Sequence, residues 1–158
     1  MPGVEQNVDG TGITARFQTP TGAAYDSNDG ALYVTDNSNR TIRRVTVLGV
    51  VTTLAGNSGI CTLTDGTGSA ARFNGPNGIV YDADNGNLYV SDRCAIRQVT
   101  PGGVVTTIAG SGNCFLAADG IGSSAQFPSA NSGLAYVPGS SELFVTDIFG
   151  DAIRLVQI

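Results

Sequence analysis

Residues 65–107 read DGTGSAARFNGPNGIVYDADNGNLYVSDRCAIRQVTPGGVVTT, and the rest of the 158-residue chain repeats this stretch or part of it. Upstream, DGTGITARF at residues 9–17 is followed by TPTGAAYDSNDGALYVTD, TIRRV and GVVTTLAG. Downstream, DGIGSSAQF at residues 119–127 leads to SGLAYVPGSSELFVTD and AIRLV. Phe17, Phe73 and Phe127 stand 56 and then 54 residues apart. A period of this size and regularity marks a repeat architecture.

Each unit holds four short runs that read as strands. In the middle copy they are residues 78–82, 87–92, 95–100 and 104–109. These runs are rich in Val, Ile, Tyr and Thr, which suit a pleated, half-buried surface. Turn residues separate them: ADNG between the first two and PGG between the last two. No stretch shows helical periodicity of useful length. Four strands per unit, repeated about an axis, describe the blade of an all-β propeller.

The order F-x-x-P-x-G-[IA]-x-Y-D, then N-L-Y-V-x-D, then x-I-R-x-V resembles the NHL repeat. In the third copy Pro128 directly follows Phe127, and Val137 stands where Asp26 and Asp82 stood. The resemblance implies a β-propeller of four-stranded NHL-type blades. NHL propellers serve as sensor ectodomains, RNA readers, a metal-linked lyase and plain scaffolds, so membership alone assigns no role.

The units divide the chain into an orphan fourth strand (1–8), blade one (9–56), blade two (65–110) and blade three lacking its last strand (119–158). Long Cys-bearing linkers fall at 55–68 and 109–122. Three blades' worth of strands, cut out of phase, form half of a six-bladed ring or a segment of a longer or open array. The orphan strand at Val4, Glu5, Gln6, Asn7 and Val8 is expected to complete a neighbour's third blade along Ile153, Arg154, Leu155 and Val156. Two copies would then close a ring, or many would run on as a filament. The alternative is a flanking chain of a longer polypeptide that covers both edges.

Composition narrows the function. Net charge is −5 and all eight basic residues are Arg. Clustered cations for phosphate contacts are lacking, which argues against nucleic acid. No run approaches the roughly 20 apolar residues of a membrane span. The first ten residues are polar and do not read as a signal peptide. The chain has no His, so the commonest general base and the usual zinc ligand are missing. No cofactor, metal or catalytic residue is assigned. Arg43, Arg97 and Arg154 share a repeat position and read as structural. Asp36, Asp92 and Asp147 close equivalent strands and read as acceptors for turn N–H groups rather than as calcium ligands. Asp9, Asp65 and Asp119 read as turn formers.

Cys61 and Cys94 are the favoured disulfide, because Cys61 leads into blade two and Cys94 belongs to it. Cys94–Cys114 is the competing pairing, and three reduced thiols the remaining one. In the favoured scheme Cys114 is a free or intermolecular thiol. Asn39-Arg40-Thr41 is an N-x-T sequon in a predicted turn, a candidate for a glycan on Asn39. Together these features point to an extracellular or cell-surface protein. The expected role is a non-catalytic structural or interaction module, a building block of a larger or polymeric assembly through self-association. The alternative is a sensor propeller that binds a ligand or Ca²⁺.

Overall fold

The computed structural model describes residues 7–111, 114, 118, 120–128 and 133–158. They form three antiparallel sheets joined in chain order, a partial propeller. The first sheet runs β1 (Gly10–Thr11), β5 (Val50–Gly56), β4 (Thr41–Val45), β3 (Leu32–Asp36), β2 (Pro20–Tyr25). The second repeats it with β6 (Gly66–Thr67), β10 (Val104–Gly110), β9 (Ala95–Val99), β8 (Leu88–Asp92) and β7 (Pro76–Tyr81). The third holds β11 (Leu134–Tyr136), β12 (Glu142–Asp147) and β13 (Ala152–Gln157). The four runs expected in blade two match β7 to β10 to within two residues.

The two-residue strands β1 and β6 were not expected. Each pairs with the outer side of a fourth strand, Gly10 opposite Val51 and Gly66 opposite Val105. They are too short to carry any alternation of apolar and polar residues. The DG turns therefore supply an extra edge to the blade that follows them.

Two apolar clusters hold the sheets together, and they use the same positions. Between blades one and two, Tyr33, Ile42 and Ala55 from the back of the first sheet meet Ala71, Phe73, Leu88, Val90 and Val99 from the front of the second. Between blades two and three, Tyr89, Ile96 and Ala109 meet Ala125, Phe127, Leu143, Val145 and Val156. Fully burying one such Ile or Phe side chain contributes about 1.5–3 kcal/mol. The strand alternation therefore feeds interfaces between sheets, with each sheet thinly covered until its neighbours are in place.

Candidate interaction surface

An arginine at one repeat position anchors each blade, fully buried in the first two. Arg43 is fully buried and donates to Asp36 at 3.1 Å and to Asp9 at 2.8 Å. Its guanidinium also donates to the carbonyls of Arg16 and Val8 and lies 4.9 Å from the Phe17 ring centre. Arg97 repeats this with Asp92, Asp65, the carbonyls of Arg72 and Thr64, and Phe73. In blade three Arg154 donates from Nε to Asp147 at 2.7 Å. A buried guanidinium is tolerable only when its donors are met by carboxylates and carbonyls.

The three strand-end aspartates are acceptors within this framework. Asp36 takes the Gln18 N–H and the Asn39 amide, and Asp92 takes the N–H groups of Asn74 and Gly75. Asp147 takes the Gly150 N–H. Burial pushes the Asp92 carboxyl up, against the lowering effect of Arg97 and the two backbone donors. At Asp9 partial burial also pushes upward, but the Thr53 hydrogen bonds and Arg43 outweigh it and hold the carboxyl below its ordinary range. The roles of Asp9 and Asp65 as counter-charges were missed in the sequence. Their signal was available, since each DG pair recurs with the arginine of the same unit.

The favoured disulfide is corrected. Cys94 bonds Cys114, with 5.3 Å between the Cα atoms, and Cys61 is free and exposed. The cause is strand pairing: Gly110 at the end of β10 lies opposite Ala95. Its backbone abuts Cys94 so closely that a Cβ on Gly110 would lie 2.3 Å from the Cys94 carbonyl oxygen. The linker thus passes the turn of the blade it leaves. In blade one that turn presents Arg40, and the Cys61 thiol turns instead to Asn74.

The glycan expected on Asn39 does not fit this structure. Asn39 is buried, and its amide nitrogen donates to Asp36 at 2.7 Å. A sugar on that nitrogen would leave it a single N–H and would need room outside a turn in which Asn39 is buried.

Of the residues expected to complement a neighbour, Val4, Glu5 and Gln6 lie outside the described residues. Val8 forms a bridge with Arg16, and its carbonyl accepts from Arg43. Val8 is therefore built into its own blade and is not free to serve a neighbour's third sheet. Asn7 precedes it and is partly buried.

Among the described residues, Ile153, Arg154, Leu155 and Val156 lie together on β13 at the border of the third sheet. The contrast with the other blades lies in exposure. Ile42 and Ile96 are fully buried by the next sheet, whereas Ile153, at the same position, is 73% exposed. Tyr33 and Tyr89 are buried and pair with Tyr81 and Tyr136 of the following blade, with ring centres 6.4 and 5.8 Å apart. Phe144 occupies the Tyr33/Tyr89 position and is 38% exposed. At the opposite end of the molecule Tyr25, the counterpart of Tyr81 and Tyr136, is 62% exposed.

A second feature lies across the turns of all three blades. Asn37, Asn74, Arg93 and Phe149 line a hollow of about 400 Å³. Among the described residues no group of three or more His, Cys, Asp or Glu could hold a metal ion. Among the described residues no helix is long and apolar enough to cross a membrane.

Comparison with known proteins fits this arrangement. The NHL repeat model matches residues 17–44 and 73–95. Human NHL repeat-containing protein 2 is 36% identical over 87 residues, 54% of this chain and 12% of that protein. The chain thus spans a small part of the length of that relative. A Bacteroides thetaiotaomicron structural genomics protein of unknown function superposes with a TM-score of 0.73 at 26% identity, over 86% of this chain and 34% of that one. An auxiliary nutrient binding protein from Bacteroides ovatus gives 0.69 at 25% identity, over 84% of this chain and 36% of its own. Enzymes share the fold as well: virginiamycin B lyase from Staphylococcus aureus superposes at 0.57 with 21% identity, over 86% of this chain and 37% of its own. With its repeats matched in two copies and the blade arrangement shared with these propellers, the chain belongs to the NHL-repeat family.

Proposed function

We propose that the chain is a non-catalytic structural and interaction module that assembles with a second copy of itself, head to tail. The back of blade three packs on the front of blade one of the partner copy. One observation carries this reading. Among the described residues, Tyr25 and Phe144 are the two unpaired ends of a ring ladder whose inner rungs are Tyr33–Tyr81 and Tyr89–Tyr136. Bringing Phe144 against Tyr25 of a second copy adds the missing rung, and Ile153 enters the place that Ile42 and Ile96 fill inside the chain. An aromatic rung is worth about 0.5–1.5 kcal/mol beyond its buried area. Repetition of one contact through a ring of six blades gives a closed dimer, and a rotation that fails to close gives a filament. The Cys94–Cys114 bond supports a place outside the cell, where disulfides persist.

Light scattering on the purified chain tests the assembly. A dimer or larger species that becomes a monomer in Phe144→Glu is the expected result. A folded wild-type monomer at tens of micromolar overturns the reading. That outcome assigns the two faces to further blades of a longer polypeptide.

A second reading, a ligand-binding sensor propeller, is favoured by the hollow at Asn37, Asn74 and Arg93. Its amides and guanidinium suit carboxylate or hydroxyl groups. The calcium form of this reading fails if titration with Ca²⁺ gives neither heat nor a shift in melting temperature.

A further inference from the structure

We infer that the outer corner of blade one seats on a zwitterionic lipid surface. Ile13, Val47 and Leu48 enter the boundary between headgroups and acyl chains. The inference goes beyond assembly through blade three and does not rest on it. The corner is built from two turns that touch, the 3-10 turn Gly12–Thr14 and the turn joining β4 to β5. The Gly12 N–H donates to the Gly49 carbonyl at 2.9 Å and holds the two together. Ile13, Val47 and Leu48 are 91%, 79% and 81% exposed, and Val50 is exposed at the start of β5.

This exposure does not come from the place of blade one at the front of the row. Blade two has the same frame, with the Gly68 N–H donating to the Gly103 carbonyl at 2.9 Å, and blade one packs in front of it. Leu54 of blade one closes over Gly103, where a Cβ would lie 2.7 Å from the Leu54 carbonyl oxygen. Even so, Ser69, Pro101 and Gly102, the counterparts of Ile13, Val47 and Leu48, are all exposed. The repeat therefore leaves this corner in solvent whether or not a blade precedes it. Blade two fills it with residues that water tolerates, and blade one fills it with three aliphatic side chains. The fold does not need them, since the same two turns close around Ser69, Pro101 and Gly102. An apolar cluster held in water without a packing role marks a contact surface.

Size and shape choose the occupant. Four residues on two projecting turns fall far short of the roughly 20–30 per side of a stable protein interface. A lipid surface asks less: apolar tips that project, and backbone groups behind them that are already paired. The N–H groups of Gly49 and Val50 donate to the carbonyl and hydroxyl of Thr46, and the Thr46 N–H donates to the Val50 carbonyl. On the other turn the Thr11 N–H donates to the Thr14 hydroxyl. Arg16, exposed at the foot of that turn, donates to the Ile13 carbonyl and is the cation that a headgroup phosphate would meet. Val47 lies beside Gly30, and the adjoining Asp29 carboxylate is paired with Arg44. The net charge of −5 opposes an anionic surface. Phosphatidylcholine is therefore the expected lipid.

The test is co-sedimentation of the purified chain with phosphatidylcholine vesicles, beside the double variant Ile13→Ser/Leu48→Gly. That variant carries blade two's own residues in the same frame, so its fold is kept. Wild-type chain that pellets with vesicles, with a partition coefficient at least tenfold lower in the double variant, is the expected result. Wild-type chain that stays in the supernatant at millimolar lipid overturns the proposal. Equal pelleting of the folded double variant overturns the corner as the site. The chain has no Trp, so Leu48→Trp carries a single reporter. Its emission should move to the blue on vesicles and be quenched by brominated phosphatidylcholine, and unchanged emission from vesicle-bound protein overturns insertion. A blue shift that follows protein concentration without lipid gives the corner to a second copy and overturns the lipid occupant. Tighter binding to phosphatidylserine vesicles overturns the zwitterionic assignment.

Discussion

Blades two and three carry nearly the same residues at their packing positions, yet one is enclosed and the other open. Ile96 and Ile153 are the same amino acid at the same point of the repeat, and only the neighbouring sheet differs. Tyr89 and Phe144 make the same comparison with aromatic rings. Burial in a repeat protein is therefore a property of the interface between units. An NHL blade is made to be covered on two faces, and blade two alone among the three is covered on both. The comparison can be broken most directly at the buried arginines.

Removing the Arg97 side chain leaves Asp92 buried without its cation. Arg97→Ala is expected to cost about 3–5 kcal/mol, read as a shift of the urea midpoint. Arg154 is slightly exposed beside Asp147, so Arg154→Ala should cost clearly less. Equal losses at the two positions would mean that enclosure by a following blade adds nothing to the anchor.

The isoleucine pair sharpens the same point. Ile96→Ala opens a cavity between blades two and three and is expected to cost about 2–5 kcal/mol. Ile153→Ala changes a residue on an open face and should stay within about 0.5 kcal/mol for the monomeric chain. Denaturation at dilution gives both numbers, and a large loss at Ile153 there would show that its face is already covered.

Cross-linking separates blade two from blade one, whose equivalent linker ends in the free Cys61. Cys114→Ser is expected to lose about 3 kcal/mol by the loop-entropy model for a separation of this size. The same loss should appear in the wild-type chain on reduction. Peptide mapping under non-reducing conditions should give a Cys94–Cys114 cross-linked fragment, and a Cys61–Cys94 fragment would refute the pairing.

How far the sequence discloses all this depends on the kind of feature. Strands β7 to β10 are legible because alternation and turn residues act within a few positions. The structural arginines are legible because their repeat position is invariant along the chain. The disulfide is not, because sequence order attaches the linker at Cys114 to the blade ahead, while antiparallel pairing of β10 with β9 returns it to the turn behind. Asn39 reads as a surface turn residue, yet its amide completes the Asp36 carboxylate shell. The open faces are legible only in part. The strands of each unit can be counted, but the exposed Tyr25 and Phe144 look in sequence like their buried counterparts.

A modest effect is expected at Asp9, whose carboxylate is half exposed beside the fully buried Arg43. Its carboxyl titrates below the ordinary aspartate value of 3.8, so the stability it contributes is complete above that pH. It is lost as the pH falls through the lowered folded value. Solvent screening limits the contribution, and Asp9→Asn should cost no more than about 1 kcal/mol at neutral pH. Below pH 3.8 that deficit should shrink, because the wild-type side chain then becomes neutral as well. Burial shifts the Asp92 carboxyl the opposite way, but this acts equally in both proteins and cancels in the difference. Paired urea titrations from pH 7 downward read the gap directly. A gap that persists unchanged in acid would mean that Asp9 acts through its geometry toward Thr53 and not through its charge on Arg43.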